Sequence, residues 1–525
     1  MAFELTYATM FNPPEELHEK FEQTFANFQE SLGKEYPMLI AGEKRYSEDK
    51  FEVHSPVNTD IVLGVFQKGT ANDAEDAISA AKAAFPAWAK LSWQERVAYL
   101  RKASDIIDER VYEIAAAMTY EVGKNRMEAL GDAAETSALI RYACQQVENN
   151  NGFVSPMGKD PLAGYDATNT SILRPYGVWL VISPFNFPSA LTGGPVGAAL
   201  VAGNTVVIKP ASATPWSPMI LTECFLEAGI PAGVVNFVTG PGSTVGAALT
   251  ESEKVDGITF TGSYDVGMGI YRKFAQGKYV RPIVMEMGGK NPTIVSRHAD
   301  VDAAVMGLYR SAFGLQGQKC SAGSRIYVEE PVYDDLVEKL VAKTNETVIG
   351  LPSKRETFMG PVINKNSYNN FQRFIGELRE SDATILTGGE IVTDGDLAKG
   401  YFCQPTIVAD VPRDHWLWKH EMFLPITFIE KISSLEEGME LANDVDYGLT
   451  AGFYGTEDEC DWFFENIEAG VTYANRPQGA TTGAWPGYQP FGGWKASGAS
   501  GKQAGGLNYV QLYMHEQSRT LIRKK

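Results

Sequence analysis

Four short, β-branched apolar runs follow one another through the middle of the chain: GVWLVISP (177–184), NTVVIKP (204–210), VVNFVTG (234–240) and GITFTGS (257–263). They begin 27, 30 and 23 residues apart, and the stretches between them, such as SPMILTECFLEAGI (217–230), are helix-compatible. Strands alternating with helices at this spacing make βαβ units, hence a parallel sheet and an α/β fold class. Every run ends in glycine, proline or serine. Ligands of such sheets bind outside the carboxyl ends of the strands, so a nucleotide site is expected at residues 183–188, 209–215, 240–246 and 261–267.

The flanking regions have their own character. Residues 1–35 read as a polar, partly helical lead-in with apolar positions at Leu17, Phe21, Phe25 and Phe28. From Asp73 to about Asn149 an alanine-rich helical pattern runs with Pro86 as its one internal break. Residues 151–175 are either a linker or an exposed hairpin. The alternation resumes in SRIYVEE (324–330), a helix over 331–348 and TFIEKIS (427–433), a second α/β unit. A glycine-rich stretch from Gly483 leads to a strand in YVQLYMHEQ (509–517).

With 525 residues the chain is long enough for two to four domains. Its net charge of -19 repels phosphate backbones and anionic lipid, which argues against nucleic acid as a partner. Five scattered cysteines with no CxxC pair form no disulfide framework, so a reducing, cytoplasmic setting is expected. The longest apolar stretch, 177–210, contains Pro184, Pro188 and Pro195 and cannot be a membrane helix. The six histidines lack metal spacing, and no metal is expected.

Several side chains stand out chemically. Cys320 sits in FGLQGQKCSAGSR (313–325) among small polar residues and beside Lys319, where cations would favour the thiolate; the other four cysteines occupy apolar or ordinary surroundings. Glu286 lies in the apolar VMEMGGKNP (284–292), where burial should raise its pKa toward that of a general base; pairing with Lys290 is the alternative. Asn186, held between prolines and aromatics in SPFNFP, is a rigid amide donor of the kind an oxyanion needs, or an ordinary turn asparagine. Gly240-Pro-Gly242-Ser-Thr-Val-Gly246 is one residue longer than a dinucleotide fingerprint. With Thr261-Gly262-Ser263 it makes two glycine turns opening toward helix N-termini, good places for a pyrophosphate. Lys209 closes a strand that points at the same crevice.

Taken together, SPFNFP, GNTVVIKP, FTGS, MEMGGKNP, GQKCSAGSR, MGPVI (359–363), EMFLPI (421–426) and PFGGWKASG (490–498) stand in the order and spacing of the aldehyde dehydrogenase superfamily, which this chain resembles over nearly its whole length. The resemblance implies a Rossmann-like cofactor domain (1–150 and 176–285), an α/β catalytic domain (286–482), and a small β oligomerisation element with anchor segments (151–175 and 483–525). A dimer or dimer-based assembly follows from it. The implied reaction oxidises a small-molecule aldehyde to an acid with NAD or NADP and water.

By the same resemblance Cys320 is the nucleophile, attacking the aldehyde to give a thiohemiacetal and then a thioester. Asn186 holds the oxyanion and Glu286 activates the hydrolytic water. Ser183, Pro184, Phe185, Lys209, Ser212, Gly242, Gly246, Thr261, Gly262, Ser263, Glu421 and Phe423 would line the cofactor site. Ser212 stands where many NAD-preferring members carry a glutamate that repels a 2′-phosphate, so NADP is expected to be tolerated. Phe187, Lys319, Ser321, Gly483 and Ala484 would line the substrate site. The hydroxyl of Ser321 and the Gly483-Ala484 peptide would suit the amino-acid end of a semialdehyde, and Gly193 and Gly194 would leave room for it. A thiol enzyme that passes its thioester to coenzyme A is the rival reading; it would not need Glu286.

Overall fold

The computed structural model describes residues 5–7, 9, 10, 12–498 and 500–525. Two seven-stranded sheets dominate it. The first runs Ile283–Glu286, Gly257–Thr261, Val178–Ile182, Thr205–Lys209 and Val235–Phe237, all parallel, and ends in the antiparallel pair Met38–Ile40 and Glu43–Arg45. The four apolar runs are therefore neighbouring parallel strands, as their spacing required. Their residues are almost wholly buried, with helices on both faces, which is why they read as continuous apolar runs rather than alternating ones.

The second sheet orders Thr384–Thr387, Thr406–Ala409, Ile426–Ile432, Gly323–Glu329, Asn291–Val295, Thr450–Tyr454 and Val471–Ala474, parallel except for its first strand. A third, antiparallel sheet joins Val154–Pro156, Tyr165–Pro175 and Met514–Lys524. The 151–175 segment is thus a hairpin completed by the C-terminal strand, with Met514 opposite Pro175 and Lys524 opposite Tyr165. That strand begins later than its composition predicts: Val510–Tyr513 is a 3₁₀ turn, and Tyr513 turns inward onto Trp179 and Thr259.

The long helical pattern is broken elsewhere than expected. Pro86 lies inside the Ala71–Lys90 helix, on its exposed side and in its penultimate turn, where the lost hydrogen bond is borne without a break. The actual boundaries lie at other residues, two of them side-chain caps. Ser92 and Glu95 form a capping box that starts Trp93–Glu109, Arg110 separates that helix from Val111–Glu121, and Asn125 caps Arg126–Asn149 by accepting from the Glu128 N–H at 3.0 Å.

Gly193 and Gly194 do not open substrate space. They lie on the Ala190–Ala202 helix where it packs on Arg126–Asn149. A β-carbon on Gly193 would come 2.3 Å from Thr136 Cγ2, and one on Gly194 2.8 Å from Leu139 Cδ1. The close approach of two helices explains these glycines. The lead-in forms the Glu15–Phe28 helix, which buries Leu17, Phe21 and Phe28 in the core of the first unit. Among the described residues, no helix is long and apolar enough to cross a membrane.

Candidate active site

The first sheet passes directly into the second. Glu286 ends the strand Ile283–Glu286, and Asn291 begins Asn291–Val295. The Glu286 carbonyl accepts from the Gly262 N–H at 3.1 Å, and the Met287 N–H donates to the Ser497 carbonyl at 2.9 Å, which holds the junction between a strand-end turn and the C-terminal PFGGWKASG stretch. Glu286 is buried and its carboxyl is pushed up to about 7 by desolvation. Lys290 does not pair with it: that ammonium is wholly buried, lies 5.1 Å from the Phe428 ring, and has no hydrogen-bond partner among the described residues.

Cys320 follows an unusual loop. Leu315 and Gln316 have φ of 50° and 57°, and Gly317 has 68°. The loop is pinned by side chains: Gln316 Nε2 donates to the Gly123 and Pro361 carbonyls, both at 2.9 Å, and Gln318 Oε1 accepts from the Ile363 N–H at 2.9 Å. Asn186 Nδ2 donates to the Gln318 carbonyl at 3.0 Å, which brings Asn186 to the cysteine loop. On its other side Asn291 Nδ2 donates to the Cys320 and Ala322 carbonyls at 2.7 and 2.9 Å. Cys320 is half-buried, whereas the other four cysteines are buried.

The expected activation of this thiol by a neighbouring cation is not what the structure shows. The Lys319 ammonium turns away into a 2.7 Å ion pair with Glu128. The thiol is pushed up to about 12, mainly by burial, with the negative charges of Glu421 and Glu286 adding to it.

A cavity of about 410 Å³ opens beside these groups. Cys320, Glu286, Phe187, Lys319, Ser321, Gly483 and Ala484 all line it, so the residues expected at the substrate come together in one place. Thr481 Oγ1 donates to the Ser321 carbonyl at 2.7 Å and ties the Gly483 loop to the cysteine loop. Gly483 has φ of 102°, and its carbonyl accepts from Arg476 at 2.9 Å. Asn186 stands just outside the lining.

Sequence reasoning missed the opposite wall. Glu128 and Glu135 line the cavity, and Tyr7 Oη donates to Glu135 Oε2 at 2.7 Å. Burial pushes Glu135 up to about 8. The signal was available: Glu128, Asp132 and Glu135, spaced four and three apart, share one face of an alanine-rich helix.

The remaining residues gather at the strand ends. Lys209 is buried, its ammonium donates to its neighbour's Pro210 carbonyl at 2.9 Å, and desolvation brings it down to about 8. Ser183 Oγ is buried with no hydrogen-bond partner among the described residues. Ser212 Oγ donates to the Gly240 carbonyl at 3.2 Å. A β-carbon on Gly242 would meet nothing within 4 Å, and on Gly246 it would touch Lys209 Cε at 3.5 Å. Gly262 and Thr261 lead through Ser263 into the helix Tyr264–Phe274, which has no side-chain cap and exposes Val266. Phe185 meets Phe423 edge to face at 5.6 Å. Glu421 Oε1 accepts from the Gly289 N–H at 2.8 Å, and burial pushes its carboxyl up to about 7. An orphaned hydroxyl, an ammonium with only a local acceptor, free helix N–H groups and an exposed valine suit a dinucleotide.

The aldehyde dehydrogenase family profile matches residues 43–518. The chain is 38% identical over 504 residues to a 1-pyrroline-5-carboxylate dehydrogenase of Halalkalibacterium halodurans, covering 95% of each protein. A 1-pyrroline-5-carboxylate dehydrogenase from Thermus solved with bound NAD superposes with a TM-score of 0.91 at 32% identity, covering 98% of each chain. Proline utilization A from Bdellovibrio bacteriovorus gives a TM-score of 0.90 at 34% identity, covering 96% of this chain and 51% of that longer one. The chain belongs to the aldehyde dehydrogenase family.

A thiol raised to about 12 has only roughly one molecule in 100,000 ionised at pH 7. Alkylation of Cys320 by iodoacetamide in the ligand-free protein should therefore climb about tenfold per pH unit up to pH 10, read by mass spectrometry of the peptide. A plateau near pH 8 would contradict the desolvated thiol.

Proposed function

We propose that this chain oxidises L-glutamate γ-semialdehyde, in equilibrium with 1-pyrroline-5-carboxylate, to L-glutamate, using NAD or NADP, as in proline catabolism. The observation that carries the reading is the single cavity lined by Cys320, Glu286, Ser321 and the Gly483-Ala484 peptide. A nucleophile and a base at one side, with a hydroxyl and backbone N–H groups nearby, suit an aldehyde whose other end is a carboxylate. The 1-pyrroline-5-carboxylate dehydrogenases similar to this chain along nearly its whole length support it.

The chemistry follows from the residues. Cys320 Sγ adds to the aldehyde carbon, its proton leaving to a nearby carboxylate, for which half-ionised Glu286 is suited. The growing oxyanion is met by the Cys320 N–H and by the second hydrogen of the Asn186 amide, whose first is held by the Gln318 carbonyl. A bound nicotinamide supplies the hydride acceptor; Lys209, Ser183, the Gly262-Ser263 turn, Glu421 and Phe423 would hold that cofactor. Glu286 passes the thiol's proton to solvent and then takes one from the water that adds to the thioester carbon; as the C–S bond breaks, that proton goes to the departing Cys320 sulfur and the acid is released. Ser212 presents no charge to a 2′-phosphate, so both nucleotides are used.

We further propose a dimer-based assembly built on the third sheet. Its strands and the adjoining turn carry Val154, Met157, Tyr165, Leu521 and Ile522 exposed, a set that a second copy would cover. Light scattering should give a mass of at least twice the 57.4 kDa chain, and a monomer at micromolar concentration overturns the assembly.

Initial rates with 1-pyrroline-5-carboxylate, propanal and succinic semialdehyde, each with NAD and NADP in one buffer, test the substrate. A kcat/KM advantage of about a hundredfold for the pyrroline, roughly 2.7 kcal/mol of transition-state binding, is expected. Equal efficiencies would make this a general aldehyde dehydrogenase, and NADP at under about a thousandth of the NAD efficiency would refute dual use. Because Glu286 must be ionised to act as base and its carboxyl sits near 7, activity should fall tenfold per unit below pH 7. Glu286→Gln should lower kcat about 10²–10³-fold and abolish that acid limb. Retention of the limb would assign it to another group.

A further inference from the structure

Beside Glu286 the first sheet carries a line of buried hydroxyls that the chemistry above leaves unused. The strand register sets Trp179 opposite Gly257, Val181 opposite Thr259, Thr259 opposite Val284 and Thr261 opposite Glu286. Alternate residues of a strand share a face, so the side chains of Trp179, Thr259 and Glu286 all stand on one side of the sheet. Tyr509 and Tyr513 pack on that side, in one core cluster with Trp179, Val181 and Val284. The segment that carries them comes straight from the cavity: Gly505 lines it together with Glu286, and the Tyr509 N–H donates to the Gly506 carbonyl at 3.4 Å.

These hydroxyls form a chain with one direction, because an indole N–H can only donate. Trp179 Nε1 donates to Thr259 Oγ1 at 2.9 Å, Thr259 to Tyr513 Oη at 3.1 Å, and Tyr513 to Tyr509 Oη at 2.8 Å. Each hydrogen is committed to the next oxygen. The one left over is that of Tyr509, which has no acceptor among the described residues. The Tyr509 ring is buried and stands edge to face on Tyr513 at 5.4 Å. The Glu286 carboxyl likewise makes no hydrogen bond among the described residues. Burial pushes both phenols up and the charge of Glu286 adds to it, so the carboxylate is within electrostatic reach of both. A donor without an acceptor and an acid without a donor therefore meet in one buried place, where an unmade hydrogen bond is costly.

We propose that Tyr509 is a positioning residue for Glu286: its hydroxyl donates through one water to the Glu286 carboxylate, and so favours and orients the ionised base. The inference rests on the reading of Glu286 as the base that activates the hydrolytic water. Cys320 and Tyr513 are the other titratable groups that feel Glu286, and Glu421 bears on the same sulfur. The remaining charged and titratable lining of the cavity, Tyr7, His18, Arg126, Glu128, Glu135, Arg310, Lys319, Arg355 and Glu356, leaves its pKa to burial alone.

The test titrates Glu286 in wild type, Tyr509→Phe and Tyr513→Phe by infrared difference spectroscopy of its carboxyl C=O stretch, assigned by its loss in Glu286→Gln. Both tyrosine variants break the bond between the two phenols, but only Tyr509→Phe removes the leftover hydrogen. A hydrogen bond to the ionised form lowers a carboxyl pKa, so Tyr509→Phe should raise the midpoint by about half a pH unit or more, and Tyr513→Phe by less than about half of that shift. The acid limb of kcat should move in the same order, while KM for the aldehyde changes by less than about twofold. Fluorotyrosine placed at position 509, a more acidic phenol of nearly the same shape, should lower the midpoint instead, and it decides the matter if Tyr509→Phe does not fold. An unmoved midpoint in either Tyr509 substitution overturns the proposal, as does an equal shift in Tyr513→Phe, the mark of a merely structural pair. A protein that oxidises no aldehyde, or whose acid limb survives Glu286→Gln, refutes the base reading, and the infrared midpoints then still decide whether Tyr509 bonds Glu286.

Discussion

Gly288 and Gly289 have no room for a β-carbon. One on Gly288 would lie 2.1 Å from Glu421 Oε2, and one on Gly289 2.4 Å from the Cys320 carbonyl oxygen. These two residues are the middle of the four-residue link between the last strand of the first sheet and a central strand of the second. Because its middle is bare backbone, Glu421 can bond the Gly289 N–H on one side while the cysteine loop passes on the other. Glu286, Cys320 and Glu421 arrive from three distant parts of the chain, and their convergence depends on this close approach. The first sheet presents the carboxyl ends of its strands here, where open α/β sheets bind ligands, and the second sheet meets them with the amino ends of its own.

Burial is the second constraint. Glu286, Glu421 and Cys320 are all pushed toward their neutral forms and Lys209 toward its own, each chiefly by desolvation. Other buried ionisable groups are instead paired or hydrogen-bonded, as where Arg325 donates to the Lys290, Leu441 and Ala442 carbonyls. Lys124 and Asp132, both fully buried, meet at 2.7 Å, and Asp132 also accepts from the Ala190 N–H at 2.7 Å. The Lys124 ammonium lies 3.7 Å from the Phe187 ring centre. This ion pair therefore holds the SPFNFP turn from below and sets both Phe187 and, through the turn, Asn186. Removing one partner of such a pair typically costs about 3–5 kcal/mol, since the other is left buried and alone.

What was legible in the sequence was whatever is local. The four parallel strands announced themselves by composition and spacing, and Cys320, Glu286 and Asn186 by neighbours unlike those of core residues. Burial of Glu286 could be read from its valine and methionine flanks. The thiol could not: Lys319 is adjacent in sequence, but its ammonium is committed to Glu128, and only the fold shows which charges the sulfur feels. Gly193 and Gly194 misled for the same reason, because a helix–helix contact leaves no mark on one segment alone. Ser92-Trp-Gln-Glu95, by contrast, was a readable capping box eclipsed by the more conspicuous Pro86. The contribution of Tyr7 to the cavity is wholly non-local.

The loop before Cys320 shows why such a site is held by polar side chains rather than by apolar packing. Leu315 and Gln316 sit in the left-handed region, each at a cost of order 1–3 kcal/mol, and Gly317 continues the turn against the Leu424 carbonyl, 2.2 Å from where a β-carbon would be. Apolar contacts are non-directional and would let this segment relax toward ordinary dihedrals. The paired bonds from Gln316 to Gly123 and Pro361, and the bonds of Gln318 and Asn186, are directional and buried, where an unmade bond costs about 1–3 kcal/mol. Relaxing the strain would forfeit several of them at once. The sulfur is thereby fixed beside Glu286 and the cavity before any substrate arrives, and Asn186 is fixed by the same carbonyl that fixes the loop.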